Sequence, residues 1–328
     1  MSEQLLKFTS SGIYCEKADV FLDPWRAVNR AIISHGHADH ARYGHTKYLA
    51  HNHTTEIMKH RLGDQDYSSV EYGERTKING VTFTLIPAGH ILGSSQIKVE
   101  FNGQVAVFSG DYKLEDDGIS GVYEPIPCDL LITECTFGLP IYRWQDQLSV
   151  KEEINNWVQD NAEKGISSIL FGYSLGKAQR LLRLLETELP IYIHGAVHHM
   201  TEIYRKAGVV LPDTSYPLDK KKPKLPCVVI CPPSVNGTTW LKKFAPYSTA
   251  MASGWMSLRG PRRRRSMDKG FVLSDHMDWK GLEVVMKETA PDRVICTHGY
   301  NEIYSEYLRS QGIEAITEKT EFETEEVE

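Results

Sequence analysis

Ala31-Ile32-Ile33-Ser34-His35-Gly36-His37-Ala38-Asp39-His40 sets four ligand-type side chains within six residues, directly behind a short apolar run. An extended turn can aim such a block at two adjacent metal ions, whereas a regular helix would spread the same side chains around its circumference. Ala31–Ser34 reads as a short buried strand, so the block starts where a strand ends, which is where open α/β sheets carry their sites. The arrangement repeats twice. His90, in Ala88-Gly89-His90, follows the apolar run Val81-Thr82-Phe83-Thr84-Leu85-Ile86, and Asp111, in Ser109-Gly110-Asp111, follows Val105-Ala106-Val107-Phe108. Taken alone, each is as readily a satisfied polar residue at a strand end; taken with the block, both read as ligands. With His298 the set holds five imidazoles and two carboxylates, enough for a two-metal hydrolytic site, and His276 is left over for acid-base work. Neutral imidazole and carboxylate hold zinc or manganese while leaving a position open for water.

The chain of 328 residues, 41% of them hydrophobic, can bury a sizeable core, and its length suggests about two domains. No run of eighteen apolar residues occurs, and Met1-Ser2-Glu3-Gln4 has neither the basic start nor the apolar stretch of a signal peptide, so a cytoplasmic protein with no membrane attachment is expected. The six cysteines have no paired metal-type spacing and read as reduced and buried.

A net charge of −6 argues at first against a nucleic-acid partner, but the average misleads. Residues 318–328 hold six glutamates and one lysine, so the rest of the chain is close to neutral, and this acidic tail reads as disordered or solubilising. Basic residues are concentrated at Arg262-Arg263-Arg264-Arg265, at Lys220-Lys221-Lys222, and at Arg180 with Arg183 on one expected helix. The arginine run ends eleven residues before His276 and is a candidate for contacting phosphates, although such runs are as often solvated loops. The lysine run, preceded by Asp219 and flanked by Pro217, Pro223 and Pro226, reads as a linker.

Residues 1–145 alternate apolar runs with glycine-rich turns, as in the predominantly β half of a layered α/β domain. The pattern changes near Leu148. Ser149-Val150-Lys151-Glu152 reads as a capping box opening a helix through Trp157, and Gly176-Lys177-Ala178-Gln179 opens another through Leu185. Ile191-Tyr192-Ile193 and Val228-Val229-Ile230 look like buried strands. Because ligand-type motifs return only after this βα-rich stretch, one domain is interrupted by another: 1–145 and 266–317 form the core, 146–265 the insertion, and 318–328 the tail.

The motifs together resemble those of the metallo-β-lactamase-fold nucleases of the β-CASP type, most closely the bacterial ligase-associated DNA exonucleases. The likeness is carried by Leu22-Asp23-Pro24-Trp25-Arg26, by Pro87-Ala88-Gly89-His90-Ile91-Leu92-Gly93-Ser94, by Ser109-Gly110-Asp111-Tyr112-Lys113 and by Thr133-Glu134-Cys135-Thr136-Phe137-Gly138. It continues through Leu175-Gly176-Lys177-Ala178-Gln179-Arg180, Ala252-Ser253-Gly254-Trp255-Met256, Ser274-Asp275-His276 and Thr297-His298-Gly299-Tyr300, leaving only the acidic tail outside. The resemblance implies an αββα sandwich interrupted by a β-CASP cap. It further implies that His35, His37 and His90 bind one divalent ion, that Asp39, His40 and His298 bind a second, and that Asp111 bridges them. Zinc is favoured and manganese compatible. Asp23 would orient a ligand histidine, and Glu134 would orient His276 as the general acid. Lys177, at a helix start, is a candidate phosphate contact, no more so than a solvated lysine.

His194, His198 and His199, like His45, His51, His53 and His60, are read as non-ligands because the two-metal set is already complete. Tyr112, Phe137, Tyr142, Trp144, Trp255 and Tyr300 could stack on unpaired bases or serve in packing. The resemblance implies a DNA exonuclease of repair, associated functionally with an ATP-dependent DNA ligase and a helicase. Three alternatives stay open. An RNA-processing nuclease of the same class would tolerate a 2′-hydroxyl, and a small-molecule ester or thioester hydrolase would not need Glu134, His276 or the arginine run. A non-catalytic nucleic-acid-binding scaffold would have lost ligands, and none is missing here.

Overall fold

The computed structural model describes residues 4–216, 222–258 and 267–322. Met1–Arg143 and His276–Val327 group into one unit, and Trp144–Asp275 into a second. The first unit opens with β1 (Lys7–Thr9), β2 (Gly12–Cys15), β3 (Val20–Leu22), β4 (Arg30–Ile32), β5 (Lys47–His51) and β6 (Tyr67–Val70), which lie in that order in one sheet. Pairing is antiparallel from β1 to β3 and parallel from β3 to β6. Helix α1 (Asn52–Leu62) follows β5 directly. A second sheet starts with the antiparallel meander β7 (Arg75–Ile78), β8 (Val81–Pro87), β9 (Ser95–Phe101) and β10 (Gln104–Phe108), and β11 (Leu130–Cys135) then joins β10 in parallel.

The second unit starts with α2 (Gln147–Glu163) and runs through β12 (Ser167–Phe171), α3 (Lys177–Leu184), β13 (Ile191–Ile193), α4 (Gly195–Lys206), β14 (Val228–Cys231), β15 (Tyr247–Ala252) and β16 (Lys269–Phe271). Its sheet has the order β13-β14-β12-β15-β16 and is parallel throughout. The expected capping box is not what starts α2. The Asp146 carboxylate accepts the Ser149 amide at 2.9 Å and its hydroxyl at 2.7 Å, so Asp146 is the cap and Ser149 the residue it holds. The helix also runs past Trp157, because Val150, Ile154, Val158 and Asn161 continue one buried stripe.

After the insertion, α5 (Trp279–Thr289), β17 (Arg293–Gly299), α6 (Asn301–Ser310) and β18 (Glu314–Thr317) return to the first unit. The second sheet is thereby completed in the order β18-β17-β11-β10-β9-β8-β7, with β17 parallel to both β11 and β18. Successive side chains of a strand point to opposite faces, and here both faces are buried. Phe108, Ile132 and Ile295 share one apolar cluster with Ile13, Val20, Leu22 and Ile32 of the first sheet. Their neighbours Val107, Leu131, Val294 and Cys296 turn the other way, onto Leu282 and Val285 of α5 and Tyr304 and Leu308 of α6. In the first sheet Ala31 and Ile33 turn away from Ile32, toward Tyr48, Ala50 and Met58 of α1. Each fully buried Phe, Leu or Ile stabilises this arrangement by about 1.5–3 kcal/mol.

All six cysteines are free and buried. No helix among the described residues is long and apolar enough to cross a membrane. Arg262 to Arg265 and Lys220 to Lys221 lie outside the described residues. The reading of residues 318–328 as a loose tail is corrected for its first part. The Glu318 amide donates to the Cys296 carbonyl at 3.1 Å, Glu321 pairs with Arg26, and Phe322 is buried in the apolar core.

His45 supplies a pH test of this unit. It is buried, neither ring nitrogen has a hydrogen-bond partner, and burial reinforced by the Arg42 charge lowers its pKa to about 4. The unfolded chain, with a histidine pKa near 6.5, takes up a proton that the folded chain refuses, so stability falls as pH drops from about 6.5 toward 4. The loss from this residue is on the order of 1–3 kcal/mol. Denaturant titrations at pH 7.5 and pH 5 should show a smaller difference for His45→Leu than for the parent, and an unchanged difference would remove His45 as the source.

Candidate metal centre

The site is built at strand ends. Asp23 follows β3, Ser34 and His35 follow β4, His90 follows β8, Asp111 follows β10, Glu134 lies at the end of β11, and His298 lies near the end of β17. Two glycines let the loops close up. A Cβ on Gly89, whose φ is 75°, would stand 2.3 Å from the Lys113 carbonyl oxygen, and one on Gly110, whose φ is 55°, would stand 2.8 Å from Ser34 Cβ. No L side chain fits either place without moving the backbone. The pairing of β11 with β17 shifts register between Thr133 and Cys135, at Glu134.

Asp23 is fully buried and organises the histidine block. Its Oδ1 accepts the Ser34 amide at 2.6 Å, and its Oδ2 accepts the Ser34 hydroxyl and lies 2.6 Å from His40 Nδ1. The single Ser34 hydrogen is thus committed to Asp23, so Ser34 Oγ, 2.9 Å from His35 Nδ1, must accept there. Both rings then carry a proton on Nδ1 and turn Nε2 inward, where the neutral form of the ring offers the lone pair a metal ligand needs. Ser94 Oγ accepts the His90 and Ile91 amides at 3.0 and 3.2 Å, which fixes the third loop.

These inward nitrogens converge on Asp111. Its Oδ2 lies 3.5 Å from His35 Nε2, 3.5 Å from His40 Nε2 and 3.8 Å from His90 Nε2, and its Oδ1 lies 3.6 Å from His298 Nε2. His37 Nδ1 is 3.0 Å from His90 Nε2, and Asp39 Oδ2 is 3.5 Å from His40 Nε2. One potential ligand set is therefore His35, His37, His90 and Asp111, whose ligand atoms all lie within 4.8 Å of one another. His40, Asp39 and His298 sit around Asp111 as well, so its carboxylate faces both groups. Beside them, Glu134 Oε1 is 2.8 Å from His276 Nδ1, and the ring centres of His276 and His90 are 4.7 Å apart. Tyr112 and Thr136 donate their amides to Glu134 at 3.3 Å each.

The electrostatics show what this cluster costs. Burial pushes the Asp111 carboxyl up to about 7 against the pull of His40 and His276. Burial alone would discharge His40, but Asp111, Asp39 and Asp23 outweigh it and raise its pKa to about 10. Burial lowers His298 to about 4 and His35 well below the usual histidine value. At Glu134 burial is overcome by the His276 charge, which brings the carboxyl down to about 2. Side chains alone thus leave charges poorly shared, and His35 Nε2, His40 Nε2 and Asp111 Oδ1 are buried without a hydrogen-bond partner. Buried, convergent ligand atoms without partners are costly unless a cation takes them, displacing any proton they carry, so the donor set fits divalent ions.

Of the residues singled out from sequence, Asp23, His35, His37, Asp39, His40, His90, Asp111, Glu134, His276 and His298 meet in this one place. Lys177 does not behave as expected for a phosphate contact. It is fully buried in the second unit, where its ammonium lies 2.9 Å from Asp275 and donates to the Leu273 carbonyl at 2.8 Å. Tyr112, Phe137 and Tyr142, considered as base-stacking platforms, have no exposed surface and serve in packing. Arg262, Arg263, Arg264 and Arg265 lie outside the described residues. Sequence reasoning missed Ser34, which locks the His35 tautomer, and Lys113, whose buried ammonium joins the Gly89 carbonyl to Asp117. Both stood inside quoted motifs, but nothing in a lone Ser or Lys marks it as a fastener.

No family model matches the chain. A "Probable DNA ligase" from Opitutus terrae is 32% identical over 93% of this chain, which spans 30% of that protein. An "RNase J-like protein" from Methanocaldococcus jannaschii is 25% identical over 55% of this chain and 50% of its own length. "Endoribonuclease YSH1" from Saccharomyces cerevisiae is 29% identical over 36% of this chain and 15% of its own length. The chain thus spans half or less of each of these relatives. Among solved structures, a protein of unknown function from Enterococcus faecalis V583 superposes with a TM-score of 0.62 at 12% identity, covering 90% of this chain and 80% of that one, a likeness of fold.

Removing the Asp23 carboxylate tests the site. Asp23→Ala strands the Ser34 and His40 donors, which should destabilise the fold by about 1–3 kcal/mol and weaken metal binding about 10–100-fold. Titration of chelator-stripped protein with zinc or manganese checks this, and parental affinity in the variant would contradict it.

Proposed function

We propose, from the premise that this chain is a relative of the metallo-β-lactamase-fold β-CASP nucleases, that it is a two-metal phosphodiesterase that hydrolyses nucleic acid. In this reading the first unit is the αββα core and Trp144–Asp275 is the β-CASP cap. The observation that carries it is the Asp111 carboxylate, set between imidazoles on both of its oxygens. His35, His37 and His90 would hold one divalent ion, Asp39, His40 and His298 the other, and Asp111 both. Zinc is favoured by the imidazole-rich set, with manganese compatible. When bound, the two ions supply an acidified water and neutralise the charge that grows on the phosphate oxygens.

The chain's own residues supply the rest. Asp23 and Ser34 keep the lone pairs of His35 and His40 pointed inward. Glu134 holds His276 by Nδ1, so the other ring nitrogen is available to give a proton to the departing sugar oxygen. Before that transfer Glu134 is ionised, because the charge on the facing imidazole brings its carboxyl down to about 2.

The favoured substrate is DNA, cleaved from an end in repair alongside a DNA ligase. Support comes from the breadth of the likeness to the Opitutus terrae protein, which extends over 93% of this chain, whereas the ribonuclease-named relatives match shorter parts. RNA cleavage is the second reading, favoured by the names of those relatives.

A cleavage assay with zinc or manganese, comparing 5′-labelled and 3′-labelled single-stranded DNA with RNA of the same sequence, tests the proposal. Stepwise shortening of DNA is expected, absent in Asp111→Ala. His276→Ala should slow cleavage about 10²–10⁴-fold while its metal content is retained. Cleavage of RNA alone would move the assignment to the second reading, and inertness toward both polymers would overturn it.

A further inference from the structure

The acidic segment after β18 carries one large apolar residue, and it lands on the candidate metal centre. Phe322 is 7% exposed. Its ring stacks on the His40 imidazole, with centroids 4.2 Å apart and planes 12° from parallel, and meets His298 edge-on at 5.7 Å and 79°. Behind it stand Trp25 at 5.7 Å and Phe108 at 6.2 Å. The strap is tied down just ahead of this contact. Glu318 extends the β17–β18 pairing through its amide, the Arg26 guanidinium takes both Glu321 carboxylate oxygens, and Arg42 donates to the Glu321 carbonyl.

We propose that Phe322 is a positioning residue for the half of the centre formed by Asp39, His40 and His298. The inference rests on the two-metal reading above. His40 is held at Nδ1 by Asp23 and meets the His35 ring at 4.2 Å with a 44° tilt. Phe322 adds a near-parallel ring against His40, which limits its rocking, and it covers His40 and His298 from water. A dry, immobile ring keeps its Nε2 lone pair aimed at one place, and contacts around a metal's ligands of this kind govern affinity. The effect is directional. Among the ligand histidines Phe322 has ring contacts with His40 and His298 and none with His35, His37 or His90, although His35 itself meets His40 at 4.2 Å. Loss of Phe322 should therefore loosen one ion and spare the other.

The test is a calorimetric titration of chelator-stripped full-length protein with manganese chloride, with bound metal counted by elemental analysis. The parent should bind two ions. Phe322→Ala should weaken one of them about tenfold or more and leave the other at its parental affinity, and Phe322→Trp, which restores a flat ring, should recover the loss. Should Phe322→Ala fail to fold, the Arg26→Ala/Arg42→Ala double variant, which unties the strap with Phe322 still present, should weaken the same ion. Two ions bound with parental affinity in these variants, or an equal weakening of both, would overturn the proposal while leaving the two-metal reading intact. Fewer than two ions on the parent would overturn both.

Discussion

A carboxylate buried among imidazoles must be compensated, and most of the first unit is arranged around how that is done at Asp111. Four ring nitrogens from three segments, the His35–His40 block, the His90 loop and the end of β17, stand 3.5 to 3.8 Å from its two oxygens. None is at hydrogen-bond distance from Asp111, so the carboxylate and these rings are spaced as ligands about a centre. An arrangement of this kind destabilises a protein that carries nothing in it, because desolvated lone pairs lose their water without gaining a donor. It persists where the surrounding scaffold is stable enough to impose it and where a cation can relieve it.

The scaffold imposes it through strand ends. Parallel strands β4, β10, β11 and β17 are buried on both faces, which fixes their register tightly, since a slip of one residue would exchange the two apolar faces. The loops that follow inherit that precision. Asp23, pinned to the start of the histidine block, converts backbone register into ring tautomer by way of Ser34, and glycines at 89 and 110 permit the close approach that brings the His90 and Asp111 loops alongside. Fold and chemistry are therefore linked by short hydrogen-bonded steps of a few residues each.

Much of this was legible in the sequence, for a physical reason. Metal ligation demands particular side chains, and strand ends are marked by where apolar runs stop, so His35 to His40, His90 and Asp111 announced themselves together. The runs Val105–Phe108 and Val228–Ile230 gave their strands directly, because burial on both faces leaves an unbroken apolar stretch. What stayed hidden depends on partners distant in sequence. Lys177 stood at a helix start, yet its use inside the second unit is set by Asp275, which no local pattern reveals. Asp146 was overlooked as a helix cap because Ser149 offered an equally good local signal. Phe322 was lost in a run of glutamates, whose composition argued for a solvated tail while one aromatic ring argued for burial.

Two cations sharing Asp111 would relieve this arrangement of buried ligands. Diffraction from crystals of the protein grown with manganese, recorded at the manganese absorption edge, measures this directly. Two anomalous peaks are expected, one bounded by His35, His37 and His90 and one by Asp39, His40 and His298, with the Asp111 carboxylate reaching both. A single peak, or none within reach of Asp111, would contradict the account.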